Sequence, residues 1–170
     1  ASISVNIGEG TAYEVLLCND GDLSEAQIRA AAKSYNCEQL RVYQNEFDKG
    51  PGGARNTGLL HAKYDLIAFL DADDIWMPGK LESQLECFKQ GATFIATDYA
   101  LDTGRGIIAP AAITVPEHIF LRRGLGTSTI MVCRHLVGES RFRDVRFGQD
   151  IDFWYRLSQK STFKYAKVAE

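Results

Sequence analysis

No run of residues in this chain approaches the ~20 apolar positions that a membrane-spanning helix needs. The first residues, Ala1-Ser2-Ile3-Ser4-Val5, lack the basic start and long apolar core of a signal peptide. Positive charge is not in excess either. The formal net charge is −3, which gives no support to a nucleic-acid partner. Cysteine is sparse, and Cys18, Cys37, Cys87 and Cys133 form no C-x-x-C spacing for a metal or a redox pair. Cys18 and Cys133 lie inside apolar runs, where a thiol behaves as a small hydrophobe. All four cysteines therefore read as reduced and structural, which fits a cytoplasmic compartment. Internal repeats, low-complexity segments and obvious linkers are also lacking. The 170 residues read as one domain with one core.

What is present is an ordinary globular balance, 45% hydrophobic and 24% charged, laid out as alternating strands and helices. Ile3 to Ile7 alternates apolar and polar, as a first strand would. Tyr13 to Cys18 reads as a strand that ends in the turn Asn19-Asp20-Gly21-Asp22. Ser24 is placed to cap an Ala-rich helix over 25–35. Leu40 to Tyr43 is a strand, Lys49 to Gly53 a glycine-rich loop, and 54–62 a short helix with Leu59, Leu60 and Ala62 inward. Leu66-Ile67-Ala68-Phe69-Leu70 is short and wholly apolar, as a central strand covered on both faces would be. Pro78 stands where a helix can begin. Leu81, Leu85 and Phe88 continue it and Gly91 stops it. Further strands read at 93–97, 128–133 and 163–168, with an irregular crossover at 102–115, a helical turn at 117–122 and a helix at 151–157. The alternation predicts βαβ units and a mainly parallel α/β sheet flanked by helices.

Three carboxylates, Asp71, Asp73 and Asp74, arrive at the end of the apolar strand. Crowded carboxylates raise one another's pKa, and a cation relieves them. Ligands of open α/β sheets sit outside the carboxyl ends of strands. Asp-x-Asp there supplies the one or two carboxylates that Mg²⁺ combines with substrate phosphate oxygens. The plainer reading is a solvated turn that caps the next helix. An EF-hand starting at Asp71 fails, because its sixth position would be Trp76 instead of glycine. A phosphatase with an aspartyl nucleophile also places Asp-x-Asp after an apolar strand and stays open as an alternative.

Asp20 follows another apolar strand. It reads either as a contact to a base or ribose or as an Asx-turn residue. Lys49-Gly50-Pro51-Gly52-Gly53-Ala54-Arg55-Asn56 joins cations to glycines that allow close backbone approach, but no Gly-Lys-Ser/Thr closes it as a P-loop. Asp150, in Gly148-Gln149-Asp150, reads either as a helix cap or as a general base held at a helix start. Asp152 reads as first-turn charge complementing the helix dipole. His61, His118 and His135 are not spaced as ligand pairs, and Trp76 and Trp154 read as packing residues.

Taken in order, these stretches resemble the family 2 glycosyltransferases of GT-A fold. The matching segments are Glu14 to Gly21, Asn45 with Lys49-Gly50, Ala54 to Gly58, Ile67 to Asp74, Lys80 to Gln84, Thr127 to Val132 and Gly148 to Leu157. The resemblance implies an α/β, GT-A-like catalytic domain with a Rossmann-like nucleotide-binding half. It implies an inverting hexosyl or N-acetylhexosaminyl transfer from a nucleotide diphosphate sugar, UDP-linked, to the hydroxyl of a saccharide or lipid-linked acceptor in polysaccharide biosynthesis. By the same resemblance Asp20 and Arg55 contact the base, Asp71 holds the ribose, Asp73 binds Mn²⁺ or Mg²⁺, and Asp150 deprotonates the acceptor. It further implies work at the inner face of the membrane, by peripheral association. A non-catalytic sugar-nucleotide-binding domain is the alternative.

This chain departs from the family pattern in three places. Gln149 stands where the family has Glu before the catalytic Asp. Only Gly8 to Ala12 separate the first two expected strands, fewer than the dozen residues a parallel crossover takes, so further residues near 8–12, or a fragment of a longer chain, are expected. No Gln-x-x-Arg-Trp motif of processive synthases occurs.

Overall fold

The computed structural model describes residues 11–33, 39–102, 107–108, 125–145 and 147–168. The expected strand at 3–7, the turn at 117–122 and most of the crossover lie outside those residues, as do residues 8–10. Among the described residues the order is β1 (Val15–Asn19), α1 (Glu25–Ala32), β2 (Leu40–Gln44), α2 (Pro51–His61), β3 (Leu66–Ala68), α3 (Lys80–Lys89) and β4 (Phe94–Thr97). Then follow β5 (Leu101–Asp102), β6 (Ile107–Ile108), a 3₁₀ turn (Thr127–Thr129), β7 (Ile130–Cys133), α4 (Arg134–Val137), α5 (Gln149–Ser158) and β8 (Tyr165–Val168).

β1 and β2 pair in parallel, with Val15 opposite Leu40 and Asn19 opposite Gln44. A four-stranded sheet has the order β3-β7-β4-β8. In it β7 runs antiparallel to both β3 and β4, while β8 runs parallel to β4. Three of its four strands therefore share a direction, and the α/β class read from the sequence holds with β7 as the reversed member. β5 and β6 form a short antiparallel pair.

Side-chain alternation along these strands divides the core between two faces. Phe94, Ala96, Ile130 and Val132 point to one face, where they meet Phe69, Phe142, Phe153, Trp154 and Leu157. Ile95 and Met131 point to the other, where they meet Trp76 and Leu81. β4 and β7 are buried throughout. The stretch expected to be the covered central strand, 66–70, is instead the half-buried β3 at one end of the described sheet order. Its apolar residues still pack on both sides, Leu66 and Ile67 against one cluster and Leu66, Ala68 and Leu70 against the other, while Phe69, just past the strand, joins the aromatic cluster.

Other boundaries moved for local reasons. Ser24 caps α1 as expected, and Gln27 closes a reciprocal capping box. The glycine-rich stretch is not a loop beyond Gly50. Pro51, Gly52 and Gly53 are the first turn of α2, since proline is tolerated at that position. On α2, Leu59 is buried but Leu60 is exposed. α3 starts at Lys80, after Gly79 in the left-handed region at φ 86°, two residues later than Pro78 suggested. Cys18, Cys87 and Cys133 are free thiols, and burial pushes the Cys18 thiol up to about 11. No helix among the described residues is long and apolar enough to cross a membrane.

Candidate functional site

Helix α2 is the part around which the candidate residues gather. Its N-cap is Gly50, at φ 132°, a conformation that L side chains rarely adopt. The Gly50 N–H donates to Asp20 Oδ2 at 2.8 Å, and Asn45 Nδ2 donates to Asp20 Oδ1 at 2.6 Å. Asp20 lies just beyond β1 and Asn45 just beyond β2, so the parallel pairing of these strands sets both at one end. Asn45 is fixed in turn. Its Oδ1 accepts from the Phe47 N–H at 2.9 Å and from Thr57 Oγ1 of α2 at 3.2 Å. Asn45's hydrogen bond, then the Gly50 N–H and the charge of Lys49, hold the Asp20 carboxyl below its usual range, against a smaller opposing effect of burial.

One turn further along α2, the Arg55 guanidinium donates to Asp71 Oδ1 at 2.7 Å. Its Cζ lies 5.6 Å from the centroid of the Phe142 ring, and its Nε is buried without a hydrogen-bond partner. Asp71 is therefore already paired. Its own N–H donates to Ser128 Oγ at 2.9 Å, and its carbonyl accepts from the Asp74 N–H at 3.1 Å, closing the acid turn. Asp73 and Asp74 are exposed within that turn. The Asp73 carboxylate makes no hydrogen bond or ion pair with another described residue. The three clustered acids are thus not equivalent: one is held by an arginine and two face solvent.

The same helix reaches the region of Asp150. Asn56 Nδ2 donates to the Phe142 carbonyl at 2.9 Å, and the Phe142 N–H donates to Asn56 Oδ1 at 2.8 Å, both buried. Phe142 stacks on Phe153 of α5 with ring centroids 4.0 Å apart, and Phe69 meets Trp154 edge-on at 5.3 Å. A methyl group on Gly52 would lie 2.6 Å from Gln149 Oε1, so the start of α5 packs directly on the first turn of α2. A cleft of about 190 Å³ opens beside this contact, lined by Lys49, Gly52, Gly53, Arg143 and Gln149 among others.

Asp150 is the second residue of α5, after Gly148 in the left-handed region, so it is not the cap. It is half-buried, and its Oδ1 accepts from the Ile151 N–H at 2.9 Å. No hydrogen bond or ion pair joins it to Asp71, Asp73 or Asp74 among the described residues. Gln149 turns away from it, its Nε2 donating to the Val145 carbonyl at 3.1 Å. Asp152 is occupied by Arg156 at 2.9 Å and Arg143 at 3.5 Å.

The structure brings Asp20, Arg55 and Asp71 onto one helix and docks the start of α5 on the same helix. Sequence reasoning gave Asn45 no role, although a side-chain amide just past a strand end is a common signal for fixing a turn. It also missed Ser128 and Phe142. Their involvement depends on long-range packing that no local pattern reports. No group of three or more His, Cys, Asp or Glu among the described residues could enclose a metal. A cation at Asp73 would have to draw on ligand oxygens, as Mg²⁺ does in nucleotide sites. The open Asp73 carboxylate is suited to that arrangement.

Residues 2–138 match the family described as glycosyl transferase family 2, and the chain belongs to that family. Among its relatives, it is 33% identical over 150 residues to the UDP-Glc:alpha-D-GlcNAc-diphosphoundecaprenol beta-1,3-glucosyltransferase WfgD of Escherichia coli, covering 85% of this chain and 58% of WfgD. It is 32% identical over 134 residues to the putative teichuronic acid biosynthesis glycosyltransferase TuaG of Bacillus subtilis, covering 75% of this chain and 53% of TuaG. The chain thus spans little more than half the length of these relatives. Among solved structures, S. aureus TarS 1-349 in complex with UDP-GlcNAc matches with a TM-score of 0.66 at 20% identity, over 99% of this chain and 53% of that one. At that identity the match speaks for the fold.

Proposed function

We propose that this chain is the donor-binding and catalytic part of an inverting glycosyltransferase that moves a hexosyl or N-acetylhexosaminyl group from a UDP-sugar to an acceptor hydroxyl. The observation that carries the reading is the convergence of Asp20, Arg55 and Asp71 on α2. Three polar side chains from separate segments are locked into one arrangement before any ligand arrives. Preorganisation of this kind lowers the ordering cost of binding. By the resemblance to the family's motifs, this set would serve as the nucleotide contacts. Asp20 and Arg55 would meet the base and Asp71 the ribose. The pairing of Asp71 with Arg55 speaks against an aspartyl phosphatase, whose nucleophile must be free to attack phosphorus.

Asp73 would hold Mn²⁺ or Mg²⁺ together with donor phosphate oxygens. The cation, when bound, supplies positive charge where the leaving diphosphate gains negative charge. Asp150, at the N-terminal end of α5 where the dipole favours an anion, would accept the proton of the acceptor hydroxyl. The acceptor oxygen forms the new bond to the anomeric carbon. The old carbon–oxygen bond breaks on the opposite face, and its electron pair leaves on the nucleotide diphosphate. One displacement inverts the centre. The docking of Gln149 on Gly52 would keep Asp150 at a fixed distance from the donor residues.

The acceptor reading draws on the relatives. WfgD by name acts on a diphosphoundecaprenol-linked sugar, so a saccharide carried on a lipid is the acceptor proposed here. On this reading the chain would work in polysaccharide biosynthesis, in the cytoplasm at the inner face of the membrane, by peripheral association. Calorimetric titration with UDP, with and without Mn²⁺, tests the core of the proposal. The expected result is saturable UDP binding that strengthens at least tenfold with Mn²⁺ and loses that gain in Asp73→Asn. Absence of UDP binding under both conditions would overturn it.

A further inference from the structure

Below the acid turn lies a set of buried polar contacts to which the proposed chemistry gives no part. Trp76, 7% exposed, donates its indole Nε1–H to the Ser128 carbonyl at 2.8 Å. Ser128 is the residue whose Oγ accepts the Asp71 N–H at 2.9 Å. Lys80, 5% exposed, places Nζ 4.5 Å from the centroid of the Trp76 ring and donates to Gln84 Oε1 at 2.8 Å. Gln84, fully buried, donates its amide to the Thr129 carbonyl at 2.9 Å and the Ile95 carbonyl at 3.3 Å. Two successive carbonyls of the 3₁₀ turn thus receive one side chain from each end of the 76–84 segment.

A lysine buried to this degree is costly unless its ammonium is well solvated by protein groups. A methionine would fill the same space without that cost. What the ammonium adds is a grip on two groups at once, the π face of Trp76 and the amide oxygen of Gln84. Each of those groups uses its remaining polar edge to hold the backbone of 128 or 129. Ser128 then fixes the backbone of Asp71.

We propose that Lys80, with Trp76, is a positioning residue that sets the backbone of the 71–74 acid turn through Ser128, and so sets the nucleotide affinity of the site. Lys80 touches no reacting atom in this arrangement. The consequence for affinity rests on the reading of Asp71 as a nucleotide contact. The positioning itself does not.

The test compares wild type, Lys80→Met, Lys80→Arg, Trp76→Phe and Asp71→Asn, each as the full chain. The first readout is amide and indole hydrogen exchange by NMR. Lys80→Met should speed exchange of the Asp71 N–H and the Trp76 indole N–H about tenfold or more, while the Trp154 indole keeps its wild-type rate. The second readout is UDP affinity by calorimetry in the presence of Mn²⁺. Lys80→Met should weaken it about tenfold, and Lys80→Arg should recover to within about threefold, because it keeps the cation over the ring. Trp76→Phe keeps the ring face and loses the indole donor, so it should loosen Asp71 in the same way and serves where Lys80→Met does not fold. Unchanged exchange at Asp71 in a folded Lys80→Met or Trp76→Phe protein overturns the proposal. Faster exchange at Asp71 with UDP affinity unchanged in Lys80→Met but reduced in Asp71→Asn overturns the link to affinity. Faster exchange with affinity unchanged in Asp71→Asn as well removes the assigned role of Asp71 and leaves the clamp standing.

Discussion

The acids of this site fall into two kinds of surroundings. Asp20 and Asp71 are held before anything binds, Asp20 by Asn45 and the Gly50 N–H and Asp71 by Arg55. Asp73 and Asp150 are open, Asp73 with no partner among the described residues and Asp150 with only the neighbouring Ile151 N–H. A held carboxylate contributes to folding and is ready for a neutral or hydrogen-bonding ligand group. An open one contributes little to folding and is available to a cation or a proton. On the proposed function the difference separates recognition from chemistry. Changes at the held pair should alter stability and affinity together. Changes at the open pair should leave stability unchanged, lowering activity at Asp150 and the metal-dependent part of UDP binding at Asp73.

The largest effect should come from the open side. Asp150→Asn should lower kcat by about 10²–10⁴-fold, the usual contribution of a general base, with UDP affinity within about twofold of wild type. Its melting temperature should stay within about 2 °C, since among the described residues this side chain bonds only the Ile151 N–H, and Asn keeps that acceptor. A large fall in stability would place Asp150 among the held residues and break the distinction. On the held side, Gly53→Ala is the sharper probe. A Cβ there would lie 1.9 Å from the Asp48 carbonyl oxygen and 2.9 Å from Asn45 Nδ2. Relief requires moving the backbone that carries Gly50, together with the amide of Asn45, which are the two donors to Asp20. Destabilisation of about 2–4 kcal/mol and weaker UDP binding should appear together in thermal melts and calorimetry. Loss of one without the other would mean that α2 does not couple them.

The sequence made the acids legible because they stand at strand ends, where ligands of α/β sheets collect. Asp20, Asp71 and Asp73 become candidates by that rule and Arg55 by its place in an ordered motif series. The alternation of strands and helices carried the fold class. The reversed direction of β7 was not legible, because an apolar run such as Ile130–Cys133 has no polarity of its own and strand direction depends on chain connection. Nor did local pattern show that Pro51 to Gly53 begin a helix. Two glycines argue for a loop until the close approach of Gln149 and Asp48 gives the reason for both. Gln84 and Lys80 are polar residues beside the apolar stripe of α3, and their residue type does not predict burial, yet both are buried. Their placement depends on the carbonyls of Thr129 and Ile95, distant in sequence and visible only in the fold.

The smallest effect concerns pH. Asp20 is held below the usual carboxylate range, first by Asn45, then by the Gly50 N–H and Lys49. In the unfolded chain the same group titrates near its ordinary value of about 3.9. Between the folded and unfolded values the unfolded chain binds more protons, so acid favours unfolding in that window. The stabilisation is complete above about pH 4 and is lost as the pH falls through the lower folded value. The carboxylate is well solvated, so screening keeps the effect modest. Asp20→Asn should therefore melt about 2–4 °C below wild type at pH 7, and the gap should narrow steadily as the pH is lowered from about 4 toward 2. A parallel series in an Asn45→Ala background should show a smaller gap that narrows less, because the first of those donors is gone. If the two series behave alike, Asn45 does not hold Asp20 in the folded protein. The preorganisation attributed to Asn45 would then have no energetic content.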